Sequence, residues 1–178
     1  MSSTLNPYFY AHTPKLLAFE NAWVDFIKNG EINKNIIRPE IADSWIRSKK
    51  LILDPLSIDP LEIVDRDDLS RRKKKNNGII DIVVPFIEML KDAVYSTEFG
   101  ILFSDADGII LEMAYPEINE PMYKKFNITI GSIFSEEYIG TNAIGLCLKL
   151  KKPIQVSGAE NYIQGFQRFS VSAAPVID

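Results

Sequence analysis

The stretch GSIFSEEYIGTNAIGLCLKLKKPIQVSGA, residues 131–159, carries the signals that decide the fold. Ser135, Glu136 and Glu137 supply a capping hydroxyl and two carboxylates, which favour a helix start because free N–H groups and the positive end of the dipole gather there. Apolar residues then recur at spacings of three and four, namely Ile139, Ala143, Leu146, Cys147 and Leu150. This spacing predicts a helix with one apolar face.

Three residues inside this helical pattern are poor helix formers. Gly140 costs about 1 kcal/mol relative to alanine in a helix interior, and Thr141 and Asn142 are weak formers as well. We therefore expect either a backbone packed closely at this point or a partner or ligand for the polar side chains. The helix should end at Pro153, and residues 154–156 alternate as in a short strand.

Two further stretches accompany this one: RPEIADSWIRSKK at residues 38–50 and SVSAAPVID at residues 170–178. Together the three resemble the N-terminal sensory region of the enhancer-binding transcription activators of the acetoin- and glycerol-operon type, which work with sigma-54. The resemblance covers about residues 35–178. The GTNAIG run and its distance from the later AAP run carry most of its specificity.

The resemblance implies an α+β chain with two parts. An N-terminal helical extension, residues 1–78, would precede a GAF-like domain, residues 79–178, with an antiparallel sheet and flanking helices. Members of the family usually have a His where Asn161 stands and a Cys where Val171 stands, so roles tied to those side chains are not expected here. The family's ATPase and DNA-binding regions have no counterpart in these 178 residues.

Composition narrows the function classes. The chain is 46% hydrophobic and 25% charged, as expected for a soluble globular protein. Its net charge of −4 argues against nucleic acid as a main partner. A single Cys excludes an internal disulfide and fits a reducing compartment. No signal peptide or membrane-spanning run is present, so the sequence predicts a cytoplasmic protein without membrane contact.

Periodicity predicts further helices at residues 15–29, from 38 to just before 54, at 61–75 and at 79–95. A polar and aromatic arm, residues 1–14, precedes them. The basic run at residues 71–75 is interpreted as a solvated helix end rather than a DNA contact, because acidic residues lie just upstream.

The helix predicted at residues 79–95 carries an apolar face: Ile79, Val83, Phe86, Ile87, Leu90 and Val94. Pro85 should either kink this helix or place its start near Val84. The apolar face suits both a dimerisation helix and a helix packed on its own sheet.

The sequence of the second half of the chain predicts short strands. Residues 100–104 and 109–114 predict a hairpin, because Asp-Gly between apolar runs favours a tight turn. Its acidic turn, residues 105–108, lacks the spacing of a calcium loop. After an irregular segment at residues 115–130 and a short cover at 160–169, residues 170–177 predict a last strand. A GAF sheet would then be short by about two strands, leaving an exposed strand edge.

The sequence offers little for catalysis. His12 is the only histidine and lies in the N-terminal arm, so no Ser/His/Asp or Cys/His arrangement can form around a core site. Cys147 lies on the apolar helix face and is expected to be an inert buried thiol. No metal-ligand spacing or phosphate-binding loop is present. We therefore expect neither an enzyme nor a cofactor.

Because the sequence offers no catalytic arrangement, binding is the function class that remains. A GAF-type pocket would be mostly apolar with a few polar groups, and the predicted ligand-binding residues are Phe103, Met113, Thr141, Asn142, Asn161, Tyr162 and Ser172. By the resemblance, a small-molecule effector or a protein partner would bind here and control a downstream ATPase, with the chain acting as a homodimer. The alternative is an interaction or dimerisation module whose pocket is filled by its own side chains.

Overall fold

A computed structural model describes residues 14–94, 97 and 99–176 of the chain. Residues 1–13 of the predicted N-terminal arm, with His12, and the predicted strand end at residue 177 lie outside the described residues. The helices are α1 (Pro14–Asn29), α2 (Pro39–Lys50), α3 (Arg66–Lys75), α4 (Asn77–Val94), α5 (Glu120–Lys125), α6 (Glu136–Ile139) and α7 (Ala143–Leu150). The strands are β1 (Ile101–Ser104), β2 (Ile110–Ala114), β3 (Ile154–Ser157) and β4 (Ser170–Ala173), and 3-10 turns lie at residues 117–119, 158–160 and 164–166.

The predicted mixture of helices and antiparallel sheet is confirmed, and the strands form two antiparallel hairpins. Strand β1 pairs with β2, with a bulge between Phe103 and Ser104, and β3 pairs with β4. Strand β4 ends at Ala173, four residues before the predicted end at residue 177. Within the described residues β4 pairs with β3 alone, so its other edge carries no strand there.

The main core joins α1 and α2 to the second half of the chain. Phe26 of α1 stacks on Trp45 of α2 at 5.3 Å between ring centroids, and both are buried with Leu146 of α7 and Val156 of β3. The apolar face of α1 therefore belongs to the main core. Since a buried indole N–H needs an acceptor, Trp45 Nε1 donates to the carbonyl of Glu160 at 2.8 Å.

A second, smaller core lies on the other face of the β1–β2 hairpin. Ile80 of α4 packs there with Ile109, Leu111 and Ile133. Side chains alternate along a strand, so one face of the hairpin meets α4 and the other meets the main core. The hairpin is thus enclosed between two apolar layers.

Helix α4 begins earlier than predicted and turns a different face inward. It starts at Asn77 and contains Pro85, so the predicted alternative start near Val84 is wrong. The buried residues are Ile80 and Ile87, whereas Phe86 is 57% exposed. Residues seven apart lie on one helical face, and it is this face that meets β2.

Helix α3 is shorter than predicted because residues 61–65 are extended. Leu61 donates its backbone N–H to the carbonyl of Phe126 at 2.9 Å, and Ile63 forms a β-bridge with Ser132. The helix begins after Asp65, whose carboxylate accepts from the N–H of Asp68 at 2.8 Å.

The basic end of α3 binds the acidic hairpin turn. Arg72 donates to the carboxylates of Asp105 and Asp107, each at 2.7 Å, and Lys73 pairs with Glu112 at 2.7 Å. Hydrogen bonds from Arg72, and then from Arg71, lower the pKa of Asp68 below its ordinary value. The acidic turn thus binds the guanidinium group of Arg72.

The central helix is interrupted, which corrects the prediction of one continuous helix. Helix α6 ends before Gly140, which adopts φ +65° and ψ −154°, a conformation that a residue with a Cβ rarely takes. Helix α7 then starts with Asn142 as its cap, since the side-chain oxygen accepts from the N–H of Gly145 at 2.9 Å. Ser135 occupies the N-cap position of α6 without a side-chain capping bond.

Replacing Gly140 with alanine should lower the free energy of unfolding by about 2 to 4 kcal/mol, combining positive-φ strain with overpacking. An added Cβ would lie 2.9 Å from Ser48 Oγ and 2.9 Å from Tyr162 Cβ. Gly78 is a matched control, because an added Cβ there has nothing within 4 Å; Gly78→Ala should change stability by at most about 1 kcal/mol. Urea unfolding followed by circular dichroism measures both, and equal effects would contradict this account.

Candidate functional site

Helix α2 presents a buried polar strip beside its apolar face. Ser44, Arg47 and Ser48 stand three and four positions apart, so their side chains lie on one side of the helix. Ser44 and Ser48 are fully buried. A buried hydroxyl needs a hydrogen-bond partner, and these find theirs in the segment from Glu136 to Thr141.

Glu136 is the charged centre of this contact. Its carboxylate is only 5% exposed and pairs with Arg47 through both oxygens, at 2.8 Å from Nη2 and 3.2 Å from Nε. The hydroxyl of Ser44 donates to the same carboxylate. A carboxylate removed from water in this way is tolerable only because the guanidinium and the hydroxyl compensate its lost hydration.

Thr141 completes the contact through backbone and side chain. Its N–H donates to Ser48 Oγ at 3.0 Å, and Ser48 in turn donates to the carbonyl of Ser44 at 2.9 Å. Its hydroxyl lies 2.7 Å from the hydroxyl of Ser44. We call Ser44, Arg47, Ser48, Glu136 and Thr141 the α2 junction.

The α2 junction explains why poor helix formers stand at residues 140–142. The backbone at Gly140 packs closely against Ser48, and the partner of Thr141 is α2 itself. Gly145 contributes as well, since an added Cβ there would lie 2.9 Å from the backbone nitrogen of Glu136. The interruption of the helix therefore serves the docking of α2.

A second ion pair fixes the start of α2. Arg38 binds both carboxylate oxygens of the buried Glu160, at 2.9 Å and 3.0 Å from Nη2. Glu160 also accepts from the backbone N–H of Ser157 at 2.9 Å. Two charge-assisted contacts thus hold α2 on the second half of the chain.

Four of the seven predicted ligand-binding residues lie close together. Tyr162 donates its backbone N–H to the carbonyl of Thr141 at 3.1 Å, with Asn142 and Asn161 adjacent in sequence. The amide of Asn161 donates to the carbonyl of Gly158 at 2.9 Å, and the amide of Asn142 to that of Phe134 at 3.0 Å. These polar groups have internal partners.

The other three predicted residues lie elsewhere. Met113 packs on the main core and Phe103 on the second core, so they occupy opposite faces of the hairpin. Ser172 is exposed on β4. The seven side chains do not line one common cavity, and ligand contact by any of them stays a prediction.

An open cleft of about 570 Å³ lies between the α3 side of the hairpin turn and the start of α6 and α7. It is lined by Val64, Asp68, Arg72, Ala106, Asp107, Ile109, Ile133, Ser135, Glu136, Glu137, Tyr138, Gly145, Leu148 and Lys149. None of the seven predicted residues is among them. Glu136 belongs to both the cleft and the α2 junction.

Sequence reasoning assigned Glu136 to helix capping and missed its ion pair. It also missed Ser44, Arg47 and Ser48 as functional candidates. A signal was present, since two serines four apart in a helix with a buried tryptophan between them favour a buried polar contact. No local pattern shows which segment supplies the acceptors, because that segment lies about 90 residues away in the chain.

Cys147 is buried at 3% exposure, and burial raises the pKa of its thiol. A neutral thiol inside a core is a poor nucleophile.

Comparison with known proteins places this arrangement among regulatory regions of bacterial transcription activators. Residues 18–178 match the family described as MimR, N-terminal domain, and the chain belongs to that family. The acetoin dehydrogenase operon transcriptional activator AcoR of Bacillus subtilis (strain 168) is 30% identical over 157 residues, covering 86% of this chain and 26% of that protein.

Two other proteins extend the comparison. The propane 2-monooxygenase operon transcriptional activator MimR of Mycolicibacterium goodii is 21% identical over 158 residues, 88% of this chain and 26% of its own length. A chain in the crystal structure of the E. coli DhaR(N)-DhaL complex superposes with a TM-score of 0.74 at 17% identity, over 79% of this chain and 47% of that chain, which shows a shared fold. The present chain spans about a quarter of the length of the two activators.

Among the residues that the structure describes, every helix is too short or too polar to cross a bilayer.

Replacing Arg47 with methionine should lower the free energy of unfolding by about 2 kcal/mol, because Glu136 keeps its charge without a cation. Arg47 is 32% exposed at its side chain, so water offsets part of the loss. A double variant with Glu136→Gln should recover some stability. Arg71→Met is the control: that side chain is 76% exposed in its ion pair, and its loss should cost under about 0.5 kcal/mol. Chemical unfolding measures the free energy of unfolding of the unaltered chain, the two single arginine variants and the double variant. Equal losses of stability in Arg47→Met and Arg71→Met would contradict a buried role for Arg47.

Cys147 should react with a thiol reagent such as DTNB about a hundredfold more slowly in the native protein than in denaturant, because reaction requires the core to open. It is the only Cys in the chain, so the absorbance reports it alone. Equally fast labelling in both conditions would show that this core opens freely.

Proposed function

We propose that this chain is the sensory module of a bacterial transcriptional activator of the sigma-54-dependent type. In this proposal it binds a small effector or a protein partner and controls ATPase and DNA-binding regions of the whole protein. The observation that carries the proposal is the α2 junction. It joins, in space, the SWIRS and GTNAIG stretches that carry the resemblance, and it ties the N-terminal helices to the cleft through Glu136.

The proposal keeps the division into an N-terminal helical extension, residues 1–78, and a GAF-like domain, residues 79–178. Two features support the GAF-like part: two antiparallel hairpins pack on one main core, and β4 has one edge without a strand in the described chain. The N-terminal helices share that core, so a signal that shifts the domain also acts on α2.

Two locations are candidates for the effector. One is the predicted set from Phe103 to Ser172, of which Thr141, Asn142, Asn161 and Tyr162 lie together. The other is the cleft, which is lined by both apolar and charged residues, a combination that suits a small polar molecule. Occupancy of the cleft would act directly on Glu136 and hence on α2.

A protein partner is the second candidate, and two observations favour it. The neighbouring E. coli structure is a complex between DhaR(N) and DhaL. The polar groups of Thr141, Asn142 and Asn161 already have partners within the chain, as expected of a filled pocket. A homodimer is compatible with either candidate.

Effector binding is tested by thermal unfolding of the chain with acetoin and other short hydroxyketones and diols. A ligand at ten times its Kd stabilises by about 1.4 kcal/mol, which should raise Tm by roughly 4 °C for a chain of this size. Leu148→Trp fills the cleft and should abolish the shift, whereas Met113→Ala alters a predicted ligand-binding residue outside the cleft and should preserve it.

The reverse pattern would favour binding at Met113, one of the predicted ligand-binding residues, over binding in the cleft. If no compound shifts Tm in the unaltered chain, the small-effector part of the proposal fails and the protein-partner reading gains.

A further inference from the structure

The cleft is lined by six charged residues, and the fold itself pairs four of them. Arg72 binds the carboxylates of Asp68 and Asp107. Glu136 binds Arg47, which is not part of the lining. Because these four charges already have partners inside the chain, they contribute little attraction for a charged ligand.

The two remaining charges of the lining are opposite in sign. Glu137 lies in α6 and Lys149 in α7, and both side chains are exposed. Neither forms an ion pair, with the other or with any further residue in the part of the chain that the structure describes. A cleft with one unpaired carboxylate and one unpaired ammonium group is electrostatically complementary to a small zwitterion.

The uncharged part of the lining is mostly aliphatic. It consists of Ser135, Tyr138, Gly145 and five aliphatic residues, namely Val64, Ala106, Ile109, Ile133 and Leu148. Ile109 and Ile133 also belong to the second core, so their positions are fixed by packing. The volume of about 570 Å³ falls within the range of about 300 to 1,000 Å³ that is usual for small-molecule sites.

The contact between α6 and α7 brings the two unpaired charges to one cleft. Gly145, Leu148 and Lys149 stand three and four positions apart, so one face of α7 lines the cleft. An added Cβ at Gly145 would lie 2.9 Å from the backbone nitrogen of Glu136, so α7 packs directly against the start of α6. The next residue of α6 is Glu137.

The carboxylate of Glu137 has an aromatic neighbour. Tyr138 follows it in α6, also lines the cleft and is 49% exposed. The face of an aromatic ring attracts a cation, as a carboxylate does. This side of the cleft therefore suits the ammonium end of a ligand, and Lys149 suits a carboxylate end.

We propose that the cleft binds an aliphatic amino acid in its zwitterionic form. Glu137 accepts hydrogen bonds from the ammonium group, Lys149 donates to the carboxylate, and the aliphatic residues of the lining contact the side chain of the ligand. The proposal rests on the proposed function, because it names the chemical class of the small effector and takes the cleft as its site.

Calorimetric titration of the whole chain with three compounds of one carbon skeleton tests the ligand class. They are L-leucine, L-leucinamide, which lacks the carboxylate, and 4-methylpentanoate, which lacks the amine. At about pH 6.5 the amine of leucinamide is largely protonated. Leucine should bind with a Kd on the order of 1 mM, because both protein charges are exposed to water. Each analogue should bind at least about tenfold more weakly.

Single variants test which protein charge meets which end of the ligand. In Lys149→Met, leucine and leucinamide should bind equally, because the carboxylate has lost its partner. In Glu137→Gln, leucine and 4-methylpentanoate should bind equally for the corresponding reason. Lys34→Met and Glu117→Gln are matched controls, since both residues are exposed and lie outside the lining, and they should leave every Kd unchanged.

No binding of leucine would overturn the proposal, as would equal binding of the three compounds to the unaltered chain. Discrimination that both cleft variants leave unchanged would place the site elsewhere and overturn it as well. If leucine fails while a hydroxyketone still raises Tm and Leu148→Trp abolishes that shift, the amino acid class is wrong and the proposed function stands. Leucine binding that both variants alter, without any effect on transcription by the whole activator, would support the ligand class and refute the sensory role.

Discussion

The structure depends on how a buried carboxylate is compensated. Glu136 stands at the first turn of a four-residue helix, nearly removed from water, and Arg47 and Ser44 compensate the lost hydration of its carboxylate. This requirement places α2, and α2 in turn carries Trp45 into the main core. The pairing of this one charge therefore helps to position α2, together with the pair of Arg38 and Glu160.

The same requirement explains the break between α6 and α7. Gly140 has a positive φ, and an added Cβ there would lie 2.9 Å from Ser48 Oγ, so the close approach of this backbone to α2 requires glycine. Gly140 allows the chain to turn, Asn142 restarts the helix by capping it, and Thr141 is left to bond α2. Gly140, Thr141 and Asn142 would destabilise one continuous helix. They do not destabilise two short helices, because they lie between them.

A regulatory module benefits from such an arrangement. Glu136 lies at the wall of an open cleft and at the anchor of α2 simultaneously. Arg72, which also lines the cleft, ties α3 to the hairpin turn. The cleft is thus lined by two residues whose ion pairs hold helices in place.

Much of the local structure was readable from sequence. Helix α1 and the first hairpin follow from apolar spacing and from Asp107-Gly108, because these signals act between residues close in the chain. The family was readable as well, from the runs at residues 38–50 and 140–145. Only the tertiary structure decided which face of α4 is buried, where α6 stops, and that Glu136 pairs with Arg47. Each of these depends on a group supplied from a distant part of the chain, and burial, which turns a surface carboxylate into a charge that must be paired, exists only once the chain has folded.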